Sequence, residues 1–358
     1  MASALPRAMP PRLTSDPWPQ PKGPTMVKYI RFAFAALAAA FVLPAIAQDA
    51  PTLRIYTYDS FTAEWGPGPA LKAGFEETCD CVVDFIAADS SIGALRRVQL
   101  EGEQTEADIV LGLDTGVAGE ARATGLFAPH ELALDGLALP MEWTDPDFVP
   151  FDYGYFAFVY DTDVVSTAPS SFEELIALPD DVKIAIQDPR SDTPGLGLVL
   201  WIKALYGDRA VEIWEGLEPH ILTVTRGWSE SYSLFLDGEA DMVLSYTTSP
   251  AYHAIAEEDE TYAAADFGAH YAQIEVAGIL QSSGNKELAR QFLQYLVSPE
   301  AQAVIPTTNW MYPAVDIGEA LPPAFGNLMV PDRTLLADED EVTAHKNAWI
   351  EEALGALQ

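Results

Sequence analysis

FVPFDYGYFAFVY, residues 148–160, is crowded with aromatic side chains around a central glycine. It is too apolar for a surface loop and too rich in β-formers for a helix, so it reads as a long strand. An α/β series lies on each side of it. Before it, Leu53–Tyr58 reads as a strand, Pro69–Glu77 as a helix, Cys81–Ala87 as a strand, Ile92–Glu101 as a helix and Asp108–Gly112 as a strand. After it, strands at 183–186, 221–224 and 241–246 each lead into a helix, starting near Thr193, at Trp228 and near Ser249. Such alternation predicts layered α/β structure. Ala272–Leu280 is apolar enough for a return strand, Asn285–Leu296 has Leu288, Phe292 and Tyr295 on one helical face, and a last helix is expected over 339–354. Two α/β lobes joined by hinge strands follow, with a ligand cleft between them. Lobe 1 is expected to comprise 48–149 and 274–308, and lobe 2 to comprise 150–273 and 309–358.

A chain of 358 residues is long enough for two such cores. The start reads differently from the rest. Met26, Lys28 and Arg31 form a basic start, Phe32–Leu43 is apolar, and Ala45-Ile46-Ala47 is an A-x-A cleavage site, the pattern of a cleaved export signal over 26–47. The polar, proline-rich stretch 1–25 does not belong to such a signal and is expected to be a non-translated or disordered leader. No later stretch reaches the roughly 18 uninterrupted apolar residues of a spanning helix. Subtracting the five basic residues and one acidic residue of 1–47 from totals of 19 and 54 leaves 14 Lys+Arg against 53 Asp+Glu. A field this negative repels phosphate backbones, which argues against nucleic acid as a partner and draws in cations.

Strand-to-helix loops at the carboxyl ends of strands are where open α/β sheets take ligands. That places Tyr58-Asp59-Ser60, Asp89-Ser90-Ser91 and Asp114 on one crevice. Thr193-Pro194 and Ser249-Pro250 each put a hydroxyl residue at an expected N-cap with proline in the first turn, leaving free N–H groups that serve either ordinary capping or an anion. Tyr58, Trp65, Trp228, Tyr246, Tyr252 and Trp310 crowd the same loops. Single aromatics are usually core, but rings beside Gly, Asp and Ser in loops favour a cleft, where they stack on a flat, cationic heterocycle. Cys79 and Cys81 are the only cysteines. In an exported chain they form either a strained short-range disulfide or two thiols. The five histidines show no paired spacing, so no metal site is expected. Gly227-Trp228-Ser229-Glu230-Ser231 lacks the final glycine of a nucleophile elbow, and no catalytic residue is assigned.

Six runs together resemble one family, the periplasmic thiamine-binding proteins of thiamine ABC importers. They are YTYDSFTAEWGPGP (56–69), ADIVLGLD (107–114), FVPFDYGYFAFVYD (148–161), QDPRSDTPGLGL (187–198), TVTRGWSESYSLFLDGEADMVLSYTTSPAYH (223–253) and IPTTNWMYP (305–313). The resemblance implies the type II periplasmic binding protein fold and a monomeric, non-enzymatic periplasmic carrier. Its ligand would be thiamine or a phosphate ester, with no cofactor, delivered to the membrane permease and ATPase subunits of an ABC importer. It also implies ligand contacts at Trp228, Tyr246, Thr247, Thr248 and Ser249, aromatic walls at Tyr252 and Trp310, and contacts at Ser90, Ser91, Asp192 and Thr193. The sequence departs from the family pattern twice. Ser90-Ser91 replaces an acidic-then-glycine pair, and Asp192 stands where a serine is usual. An anion beside the phosphate end would favour unphosphorylated thiamine.

Two other readings share this architecture. A thiaminase-like enzyme would need Cys79 or Cys81 as nucleophile, yet both fall at the end of the sheet opposite the crevice. A carrier of ferric ion or another small solute would want adjacent tyrosines, whereas SYTTSPAY keeps Tyr246 and Tyr252 apart.

Overall fold

A computed structural model describes residues 50–358. The expected leader and export signal lie outside the described residues. The chain opens with β1 (Thr52–Tyr58), α1 (Pro67–Cys79), β2 (Val82–Ala88), α2 (Ser91–Glu101) and β3 (Ile109–Asp114). Strand β1 lies between β2 and β3 and is parallel to both. Helix α1 starts two residues before the expected Pro69, because Pro67 sits in its first turn, where a missing N–H leaves no bond unmade. Gly66 makes that start possible: a Cβ there would stand 2.1 Å from the Ser60 carbonyl oxygen.

The two cysteines form a disulfide. Asp80 between them adopts a left-handed conformation, φ 48°, which folds the chain back and brings the flanking Cα atoms to 5.1 Å, within bridging range. The bond staples the turn between α1 and β2, at the amino end of β2.

The second series contains β4 (Phe148–Asp161), β5 (Ile184–Gln187), α3 (Thr193–Tyr206), β6 (Ile221–Thr225), α4 (Trp228–Leu236), β7 (Met242–Tyr246) and the single turn α5 (Ser249–Tyr252). Strand β8 (Ala269–Leu280), α6 (Lys286–Leu296) and α7 (Glu339–Ala356) follow. The main sheet order is β2-β1-β3-β8-β4-β7-β5-β6. Two parallel ribbons thus flank an antiparallel pair, β4 and β8. Strand β4 pairs with β8 as far as Tyr155 and with β7 from Phe156 onward, so one strand serves both ribbons. The β4–β8 register slips where Pro150, lacking an N–H, faces Val276, and Asp152 faces Glu275. This is the α/β, type II periplasmic binding architecture.

Helix α3 is buried along most of its length because two glycines let it press inward. A Cβ on Gly197 would fall 1.9 Å from the Phe156 ring. Beyond it, Trp201 donates from Nε1 to the Ala269 carbonyl at 2.8 Å and packs on Phe158 and Phe172, fixing the second core. Helix α7 lies against α3 and against helices Ala118–Ala123 and Ala210–Leu217, two short elements absent from the expected pattern. Among the described residues no helix is long and apolar enough to cross a membrane.

Candidate ligand cleft

The carboxyl ends of β1, β2, β5, β6 and β7 meet around a pair of adjoining cavities. An inner one of about 70 Å³ and an outer one of about 440 Å³ share Trp65, Trp228, Ser229, Ser249 and Trp310 as walls. Of the expected residues, Tyr58, Ser90, Ser91, Asp192, Thr193, Trp228, Tyr246, Ser249 and Trp310 line the inner cavity, and Tyr252 lines the outer. Thr247 and Thr248 are on neither wall: both are fully buried, Thr247 through its N–H on the Tyr155 carbonyl and Thr248 against Met311. Asp114 lies behind the cavity, buried at the end of β3.

The caps differ from expectation by one residue. Asp192 is the N-cap of α3 and Thr248 that of α5, so Thr193 and Ser249 are first helical residues, and neither cap side chain bonds an N–H. Ser249 instead accepts from the Tyr246 N–H at 3.3 Å and pairs with the Ser245 hydroxyl at 2.8 Å. Ser245 in turn accepts from Trp228 Nε1 at 2.9 Å. This relay, with Tyr232 stacked 4.6 Å from the indole, holds the Trp228 ring upright between the cavities.

Tyr252 and Trp310 meet edge to face at 5.2 Å on the outer wall. Trp310 has φ 57°, a left-handed conformation that costs a bulky residue energy and is held by its N–H on the Ile305 carbonyl at 3.1 Å. Such strain concentrates at binding sites.

Loops of the two series touch across the opening. Ser90 caps α2 through the Gly93 N–H and donates to the Ser191 carbonyl at 2.5 Å. Arg226 pairs with Asp89 at 3.2 Å, and Ser229 donates to Asp59 at 3.5 Å.

The inner cavity is lined with carboxyl groups. Asp59, Asp89, Asp192 and Glu275 line it, and no Lys, Arg or His does among the described residues. Asp192 is 4% exposed, its Oδ2 has no partner, and burial pushes its carboxyl up to about 7. Burial and the nearby carboxylates raise Tyr58 and Tyr246 well above the usual phenol range, so both hydroxyls stay protonated donors. Tyr58 donates a hydrogen bond to Glu275 at 2.8 Å and Tyr246 one to Gln273 at 3.0 Å. Glu275 and Asn309 were not anticipated. The signal for the first was present as a lone carboxylate in the apolar run YAQIEVAGIL; nothing in the sequence marks Asn309 beyond its place before Trp310.

Residues 59–303 match the family model described as bacterial extracellular solute-binding protein. The fold and the cleft between strand ends define that class. The thiamine-binding periplasmic protein of Escherichia coli (strain K12) is 48% identical over 303 residues, 84% of this chain and 92% of that protein. A solved periplasmic thiamin binding protein superposes with a TM-score of 0.84 at 48% identity, covering 86% of this chain and 97% of that one. The ferric binding protein from Campylobacter jejuni, at 17% identity and a TM-score of 0.68 over 85% of this chain and 99% of that one, shares the fold alone. The chain belongs to the bacterial extracellular solute-binding proteins and, among them, to the thiamine-binding periplasmic proteins.

Proposed function

We propose that this protein captures thiamine in the two adjoining cavities and delivers it to an ABC importer. The observation that carries this reading is the make-up of the walls: indole and phenol faces around the outer cavity, and around the inner one four carboxyl groups of which only Asp89 has a basic partner, Arg226. A flat ligand with a permanent positive charge satisfies both, through stacking and through charge. The twelve expected site residues enter this reading in two ranks. Those on the walls touch ligand, and Thr247 and Thr248 support the turn that carries Ser249. Strands β4 and β8 are the hinge between a lobe of 48–149 and 274–308 and a lobe of 150–273 and 309–358. Cross-cleft contacts such as Ser90 to Ser191 form only when the cleft shuts, so ligand shifts that equilibrium. In this reading the carrier is an exported periplasmic monomer that docks on a permease coupled to an ATPase.

The Asp192 carboxyl, one oxygen of which has no partner, with no basic residue on the inner wall, favours free thiamine over its phosphate esters. Tryptophan fluorescence titrated with thiamine, its monophosphate and its diphosphate should rank them in that order. Asp192→Ser should improve diphosphate relative to thiamine by about tenfold, the scale of one like-charge contact near a protein surface. Diphosphate binding the unaltered protein as tightly as thiamine overturns this preference. A thiaminase reaction through cysteine lacks its nucleophile, since both sulfurs are in the disulfide. For the iron reading, the Tyr246 and Tyr252 hydroxyls are engaged by Gln273 and Glu257.

A further inference from the structure

Three carboxylates stand side by side in the middle of the sheet. Glu275 on β8 is the register partner of Asp114 on β3 at one side and of Asp152 on β4 at the other. Residues directly opposite in antiparallel pairs project to the same face about 5 Å apart. Asp114, Glu275 and Asp152 are 3, 5 and 0% exposed, too little to hydrate three negative charges. Neutral donors supply part of what water would. Tyr58 and Gln273 bond Glu275 at 2.8 and 2.9 Å, Asn309 bonds Asp152 at 2.6 Å, and the Gly116 N–H bonds Asp114 at 3.0 Å. One Asp152 oxygen has no partner. Lys346 acts on Asp114 from behind but is itself bonded to Glu120.

Of this row only Glu275 reaches the inner cavity, where the unpartnered, buried Asp192 Oδ2 lines the same space. Two carboxylates without a counter-charge on one cavity wall point to a cation as occupant. We propose that Glu275 is the residue that selects a positively charged ring, and that the row and Asp192 give up a proton when that ring binds. This rests on the reading of thiamine as ligand.

The groups facing Glu275 are Tyr58 from β1, Asp114 from β3, Asp152 from β4 and Tyr246 from β7, and Asp192, at the N-cap of α3, lines the same cavity. Burial pushes Asp114 up to about 7 and Asp152 up to about 8, and Glu275 is raised by burial and by Asp152 beside it. Near neutrality the empty cleft therefore holds protons. A fixed cation beside Glu275 favours the ionised form, and the displaced proton goes to solvent. Affinity for the cation must then rise with pH through this interval, by up to about tenfold per unit for one proton released.

Calorimetric titration of the full chain with thiamine near neutral pH, in phosphate and in Tris, counts protons through the difference in buffer ionisation heats. Release of about half to one proton per thiamine is expected. Glu275→Gln should lower the release and cut the preference for thiamine over a neutral isostere, with thiophene in place of thiazolium, by about tenfold or more. Asp152→Asn, off the cavity wall, should lower proton release while keeping the preference for the cation, which separates charge selection from a general loss of folding. Thiamine binding without proton release, or with an affinity ratio unmoved by Glu275→Gln, overturns this inference alone. Failure of the unaltered protein to bind thiamine overturns it together with the ligand reading.

Discussion

Tyr58 and Glu275 at the floor of the cleft sit on strands, β1 and β8, whereas at the mouth Trp228 is carried by a helix start, Tyr252 by the end of the single turn α5 and Trp310 by a loop. The floor is buried and hydrogen-bonded from Tyr246 through Gln273, Glu275, Tyr58 and Asn309 to Asp152. The mouth is made of ring faces held by single bonds and by one another. Floor chemistry is thus fixed by strand register, and mouth chemistry by how the loops come together. A rigid floor supplies charge selection, and a mouth that changes shape supplies contact area on closing.

The comparison can be broken first at the mouth. Trp228 walls both cavities, so Trp228→Ala should weaken thiamine binding by about 1 to 3 kcal/mol, roughly fivefold to 160-fold. Calorimetry checks this, and unchanged affinity would remove the aromatic half of the account. At the floor the effect is smaller and opposite in kind. The folded, ligand-free protein holds protons on Asp114, Asp152 and Asp192, pushed up to about 7, 8 and 7, which an unfolded chain has lost by pH 6. More protons in the folded state mean stability that falls as pH rises toward those values. His253 and His270, lowered by burial, act the other way around and below the usual histidine value. The net fall should therefore show between about pH 6.5 and 8 as a melting temperature lower by a few degrees. Asp152→Asn should flatten it. A melting temperature that climbs over the same interval contradicts the protonated floor.

How much of this was legible in the sequence follows the same division. The strand at 148–160 and the helix starts near Thr193, Trp228 and Ser249 were readable because periodicity and proline placement are local signals. Ser90 meeting Ser191, and Glu275 meeting both Asp114 and Asp152, were not, because pairing across the sheet depends on register between distant segments. The family resemblance names Thr247 and Thr248 together with their neighbours, and a continuous run gives no hint of which residues turn inward. The one-residue displacement of both caps has the same origin, since whether Asp192 or Thr193 ends the loop is decided by packing. Asp80 shows the converse: one left-handed residue makes a cysteine bridge that spacing alone left open.

The most direct test of the account is a crystal structure of the protein grown with thiamine. The account predicts the two rings across the inner and outer cavities, with Trp228 and Tyr252 against their faces and the thiazolium within about 4 to 6 Å of the Glu275 carboxylate, the range over which an opposite charge stabilises it. Thiamine bound elsewhere on the surface, or seated with its positive ring turned away from Glu275 and Asp192, would contradict it.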